Sequence, residues 1–124
     1  MDTFCTKYAA KLANNSVLCA NGECTLWNKA TNQSGYGVIK CKTPNQGWKT
    51  LLVHRLSFMI MHQMDIGDIA GSHVSHLCHN SLCTNNKHLS LEPTHINRHR
   101  DVCVNRQICT GHASFPDCML QLKL

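Results

Sequence analysis

Phe4, Tyr8 and Leu12 recur every fourth residue, the spacing that lines side chains along one face of a helix. That stripe predicts an N-terminal helix, with Asp2 or Thr3 able to cap it and Asn14-Asn15-Ser16 to end it. A short apolar piece runs on through Cys19. Asn21-Gly22 then turns the chain ahead of a brief strand at Cys24-Thr25-Leu26-Trp27. After a second turn signal at Asn32-Gln33-Ser34-Gly35 the pattern becomes alternating. Tyr36, Val38, Lys40 and Lys42 fall on one face and Ile39 and Cys41 on the other, which predicts a strand with a basic face and an apolar one. Pro44-Asn45-Gln46-Gly47 turns the chain again. Leu52, Leu56, Met59 and Ile60 then keep a helical period in a segment ending near Gln63, predicted to be the main core helix.

From Asp68 the character of the chain changes. Val74-Ser75-His76-Leu77 reads as a short strand that runs directly into a stretch rich in cysteine and histidine. Pro93-Thr94 opens a further helix carrying Asn97, because proline suits a first helical turn and threonine a cap. Beyond Arg100 the cysteines return and no period can be read.

A length of 124 residues fits one domain. With few aromatics its core is expected to be modest and to need cross-links. The densest apolar run, Leu56 to Met61, is far too short to cross a bilayer, so no membrane association is expected. Asp2 and Lys7 interrupt the first residues, and no secretory signal is read there. Nine cysteines and nine histidines are the unusual feature. An odd cysteine count with histidines interleaved favours thiolate and imidazole metal ligands over disulfides. The expected setting is a reducing intracellular compartment, the nucleus in a eukaryote. A net charge of +5 suits an anionic partner, although a solvated basic surface carries as much.

Cys78, Cys83 and His88 sit at short, even spacings within one loop, and three ligands call for a fourth to close a tetrahedral structural zinc site. Cys24 is the candidate. Cys41 is its rival, but it shares the apolar strand face with Ile39 and is assigned to the core. A second set, Cys103, Cys109, His112 and Cys118, supplies another three thiols and an imidazole in a segment too poor in apolar residues to order itself otherwise.

Taken together, Ser75-His76-Leu77-Cys78-His79-Asn80, Cys83, His88-Leu89, Asn97 and the trailing Cys103, Cys109, His112 and Cys118 resemble the His-Cys box homing endonucleases, within the wider His-Me finger and HNH-like nucleases. The resemblance spans roughly Cys24 to Cys118, with weaker echoes at Gly35-Tyr36-Gly37-Val38 and Val53-His54-Arg55. It implies an α+β fold: a zinc-stapled ββα-metal domain with an antiparallel DNA-binding sheet and two structural zinc sites. The organisation expected is a single domain over 1–124. Residues 1–23 would be the helix and lead-in, 24–63 the sheet and core helix, 72–100 the catalytic ββα unit with the first zinc, and 101–124 the second zinc loop and tail.

The same resemblance implies a metal-dependent endonuclease acting on double-stranded DNA. His76 would be the general base and Asn97 the ligand of a catalytic Mg2+, with Mn2+ as a substitute. An imidazole with the reference pKa near ~6.5 is suited to taking a proton from water. Lys40, with Lys42 as the alternative, would meet the transition-state charge. Lys40, Lys42 and Lys49 would follow the duplex as a β-ribbon in the major groove. Related enzymes act as dimers, and Leu120, Leu122 and Leu124 offer an apolar edge for a homodimer. The competing reading is a non-catalytic zinc-stabilised DNA- or RNA-binding module. The presence of both His76 and Asn97 argues against it.

Overall fold

The computed structural model describes residues 2–20 and 22–120. Helix α1 spans Asp2–Asn14 and buries Phe4, Tyr8 and Leu12, the stripe that its spacing predicts. Strands β1 (Ser16–Leu18) and β2 (Thr25–Trp27) pair antiparallel, with Ser16 opposite Trp27. Strands β3 (Val38–Thr43) and β4 (Gly47–Leu52) form a hairpin in which Lys42 faces Trp48 and Val38 faces Leu52. Alternation holds on β3: Lys40 and Lys42 are exposed, whereas Cys41 is fully buried.

One expectation is corrected here, and one strand is new. Leu52 closes β4, and the core helix α2 begins at Val53 and runs to His62. The strand β4 escaped prediction because its first four residues are all exposed, leaving no alternation to read; pairing with β3 is what extends it.

Beside α2, a short helix α3 (Ile66–Ile69) is closed by a reciprocal capping box between Asp65 and Asp68. Strands β5 (His73–His76) and β6 (Leu89–Glu92) then pair with His76 opposite Leu89 and Ser75 opposite Ser90. Helix α4 spans Thr94–Arg106, so the helix begun at Pro93-Thr94 continues past Arg100 and carries Cys103 on its last turn. The succession β5, β6, α4 is the ββα unit that the resemblance implied.

The core lies where α1, α2 and the hairpin meet, built from Phe4, Tyr8, Leu12, Trp27, Cys41, Val53 and Leu56. Cys41 belongs to this cluster, which settles it as packing. The Tyr8 hydroxyl accepts from the Lys42 amide at 2.7 Å, fastening α1 to the hairpin. Gly37 enters the hairpin so close to its neighbours that a β-carbon there would lie 2.5 Å from Val53 Cγ2 and 2.6 Å from Trp27 Cδ1. A smaller cluster of Phe58, Val74 and Leu89 joins α2 to the β5–β6 pair. Among the described residues no helix is long and apolar enough to cross a membrane. Leu120 is partly buried, and Leu122 and Leu124 lie outside the described residues.

Candidate metal centres and candidate active-site cleft

Cys24, Cys78, Cys83 and His88 converge from β2's leading edge and the loop between β5 and β6, all four of them buried. Asparagines shape that loop: Asn80 Oδ1 accepts from Leu82 N at 3.3 Å and Asn85 Oδ1 from Lys87 N at 3.0 Å, turns that fold the backbone back on itself. Its edge is stitched to β2, with Trp27 N donating to Leu82 O at 2.9 Å and Thr84 N to Thr25 O at 2.8 Å. Cys24 thereby reaches ligands more than fifty residues further along the chain.

The spacing of the donors suits zinc. Cys24 Sγ and Cys83 Sγ lie 3.6 and 3.5 Å from His88 Nδ1, and all four donors fall within 4.8 Å of one another. Zn–S and Zn–N bonds of ordinary length in a tetrahedron place the donors about 3.6 Å apart. The electrostatics agree. Burial and the neighbouring Cys83 push Cys24 up to about 12, the hydrogen bond to Cys83 and burial push Cys78 higher still, and that same bond holds Cys83 down at about 5. Three buried thiols this close together cannot all ionise without a cation to balance their charge.

The second set has the same composition and looser walls. Cys103, Cys109 and Cys118 place their sulfurs 3.7, 3.4 and 3.4 Å from His112 Nε2. Cys103 and His112 are buried, while Cys109 and Cys118 are half-buried. The far side of the His112 ring meets His99, with the two Nδ1 atoms 3.0 Å apart, so one of them donates to the other and fixes the ring. Both ligand sets are those read from the sequence, Cys24 included.

Between the hairpin's base and the ββα unit opens a cleft of about 790 Å³. His76 and Asn97 both line it, as do Tyr36, His54, Arg55 and Asp101. His76 Nε2 lies 3.0 Å from the carbonyl of Cys83. A carbonyl only accepts, so Nε2 carries the proton and Nδ1 is the basic nitrogen. The ring packs against His54, centroids 4.2 Å apart, and stacks on Tyr36 at 6.0 Å. Burial pushes the His76 pKa down to about 4, below the reference value expected from the sequence, despite the bond to Cys83. His76 is therefore neutral at pH 7. His54 is held lower, at about 3, by burial and by the His76 and Arg55 charges.

Asn97, on the first turns of α4, donates through Nδ2 to Ser75 Oγ at 2.7 Å, and Asp101 lines the cleft one helical turn further on. An amide oxygen with a carboxylate one turn away is a hard donor set that suits Mg2+ or Mn2+. Lys40 and Lys42 do not line the cleft; they continue along the hairpin face that starts in it at Tyr36, and Lys49 stands exposed on β4. Arg55 and Arg100 both line the cleft wall and were left unassigned by the sequence; both Nη atoms of Arg55 are committed to the carbonyls of Ser72 and Ile69, at 2.7 and 2.9 Å. Sequence reasoning also passed over His54, Ser75 and the buried pair Glu92–Arg100. The Val53-His54-Arg55 echo was the available signal for the first.

No curated protein and no solved structure matches the chain. One family model does, described as the zinc-binding loop region of homing endonucleases, and it matches residues 24–118, from the first cysteine of the first ligand set to the last of the second. With both of its Cys/His clusters assembled in an α+β fold, the chain belongs to this zinc-binding homing-endonuclease family.

Proposed function

We propose that the protein is a divalent-metal-dependent endonuclease that hydrolyses phosphodiester bonds in double-stranded DNA. The observation that carries this reading is the cleft shared by His76 and Asn97, in which the Cys83 carbonyl accepts a hydrogen bond from His76 Nε2–H and leaves the unprotonated Nδ1 as a base. His76 is neutral at pH 7, so it can accept a proton from water attacking the phosphorus. Asn97 offers its amide oxygen to Mg2+ or Mn2+. When bound, that cation supplies Lewis-acid stabilisation to the scissile phosphate and its departing oxygen. Neither residue is a zinc ligand, so the two zinc ions hold the architecture and take no part in the chemistry.

The duplex lies along the hairpin. Lys40 and Lys42 project from the exposed face of β3 and Lys49 from β4, placed to contact phosphates as a ribbon in the major groove. Lys40 stands nearer the cleft than Lys42 and is the better placed of the two to meet the charge developing on the phosphate.

Supercoiled plasmid and mixed linear DNA incubated with zinc-loaded protein and Mg2+ test the reading. Wild type should nick and linearise plasmid. His76→Ala should bind DNA and zinc as wild type does and cut about a hundredfold more slowly or worse. A wild type that cuts no DNA with Mg2+ or Mn2+, or a His76→Ala variant that cuts normally, leaves the non-catalytic nucleic-acid-binding module as the better account.

A further inference from the structure

A chain of buried polar groups runs from the cleft into the second zinc centre. Asn97 Nδ2 donates to Ser75 Oγ at 2.7 Å, and Ser75 Oγ donates to Glu92 Oε1 at 2.6 Å. Glu92 in turn receives the Arg100 guanidinium on both oxygens, with Nε 2.9 Å from Oε1 and Nη2 against Oε2. Arg100 also donates to Pro116 O at 2.8 Å and to Cys118 Sγ at 3.3 Å, both in the C-terminal zinc loop. Ser75, Glu92 and Arg100 are each 2% exposed or less. Burial alone would raise the Glu92 carboxyl, but the bonds from Arg100 and Ser75 outweigh it and hold it below its usual range.

The direction of the first link follows from this arrangement. An ionised carboxylate only accepts, and a serine hydroxyl has one proton to give. Once that proton goes to Glu92, Ser75 Oγ can only accept from Asn97. The half of the amide beside Ser75 must then be the NH2 group, and the oxygen is the half left over for the cleft. An asparagine without such a partner could turn either half outward, and an outward NH2 repels a cation.

Building on the endonuclease reading, we propose that Ser75, oriented by the buried Glu92–Arg100 pair and through it by the C-terminal zinc loop, is a positioning residue that keeps the Asn97 amide oxygen turned toward a divalent cation in the cleft. Ser75 borders the cleft, but its hydroxyl is committed to Glu92 and Asn97. It acts through Asn97 alone.

Mn2+ titrated into the zinc-loaded full chain and followed by its EPR signal tests this without cleavage. Ser75→Ala should weaken Mn2+ binding by about two- to tenfold, the worth of one hydrogen bond. Ser75→Thr, which keeps the hydroxyl, should stay within about twofold of wild type. In cleavage, Ser75→Ala should need more Mg2+ for half-maximal rate and recover at saturation, with DNA affinity and zinc content unchanged. On the unaltered chain, the Asn97 side-chain NH2 should exchange with solvent at least about tenfold more slowly than that of the exposed Asn45. That measurement decides the matter even if Ser75→Ala misfolds.

Equal Mn2+ binding by Ser75→Ala and wild type, with Asn97→Ala weakened, overturns this proposal and leaves the endonuclease reading standing. Exchange at Asn97 as fast as at Asn45 overturns it too. A wild type that takes up no Mn2+ removes both, whereas one that binds Mn2+ and responds to Ser75→Ala yet cuts nothing removes the endonuclease reading alone.

Discussion

The two Cys3His clusters have the same ligands and hold different things together. The first joins the leading edge of β2 to the loop between β5 and β6, so that Cys24 and His88 meet from opposite halves of the fold in a fully buried knot. The second closes a local loop: Cys103 rides on α4, and Cys109, His112 and Cys118 follow within one short segment, two of them half-buried. A cross-link between distant segments removes more freedom from the unfolded chain than one between near neighbours. It also stands in for apolar core, since among the described residues Cys19, Leu26 and Met119 are the partly buried apolar side chains packed on the first cysteines. The first cluster is therefore a condition of folding, and the second tunes what folding has built, by holding the loop against which Arg100 is fixed.

The sharpest way to break this contrast is to remove one ligand from each. Cys24→Ser should lose the first zinc and with it the cooperative thermal transition, because binding energy at such sites, on the order of 10 kcal/mol, is comparable with the whole stability of a small domain. Cys109→Ser should lose one zinc, keep a cooperative transition at lower temperature, and raise the metal requirement for cleavage. Circular dichroism melts with elemental analysis check both, and equal damage from the two variants would erase the distinction.

A gentler test uses the order of zinc release. With excess chelator and a colorimetric zinc indicator, loss should be biphasic. The half-buried second site should empty first while far-ultraviolet dichroism stays close to native, and the first should empty together with the fold. A single phase coincident with unfolding would make the clusters equivalent.

Substitutions on the hairpin, remote from both clusters, should separate binding from metal use. Lys40→Ala and Lys42→Ala should each weaken duplex affinity and reduce the slope of log affinity against log salt by about 0.9. Zinc content should not change. Salt-independent affinity would point away from phosphate contacts.

The smallest expected effect concerns acid. His54 is held at about 3 in the fold against a reference near 6.5, so below about pH 6.5 the unfolded chain takes up a proton that the folded chain refuses. Its contribution is intact above pH 6.5 and is lost as the pH falls toward 3. Between pH 7 and 5.5 this should lower stability by about 1 kcal/mol. Chemical denaturation with zinc in excess should show His54→Asn losing less than wild type over that interval. An identical pH dependence would mean that His54 is not buried in its neutral form.

Much of this was legible in the sequence, for reasons that differ by element. The zinc ligands could be read because a tetrahedral ion demands four donors of a few kinds at short spacings, and the α1 stripe because a helix packed on one side has a fixed period. Alternation favoured the core for Cys41 but left it a rival of Cys24, and only the packing of the folded chain separates them. By contrast, β4 carries no alternation, since an exposed hairpin strand is defined by its partner. Glu92 and Arg100 meet only because β6 and α4 fold back on each other, and nothing in their spacing announces it. Burial also moved His76 well below the reference pKa, an effect of packing that residue type cannot convey.

The most direct test of the account is a count of metal in the native protein, joined to X-ray absorption at the zinc edge. Two zinc ions per chain, with an average shell of three sulfurs and one nitrogen, are predicted from Cys24, Cys78, Cys83 and His88 and from Cys103, Cys109, His112 and Cys118. One ion per chain, a shell poorer in sulfur, or disulfides in place of metal would contradict it.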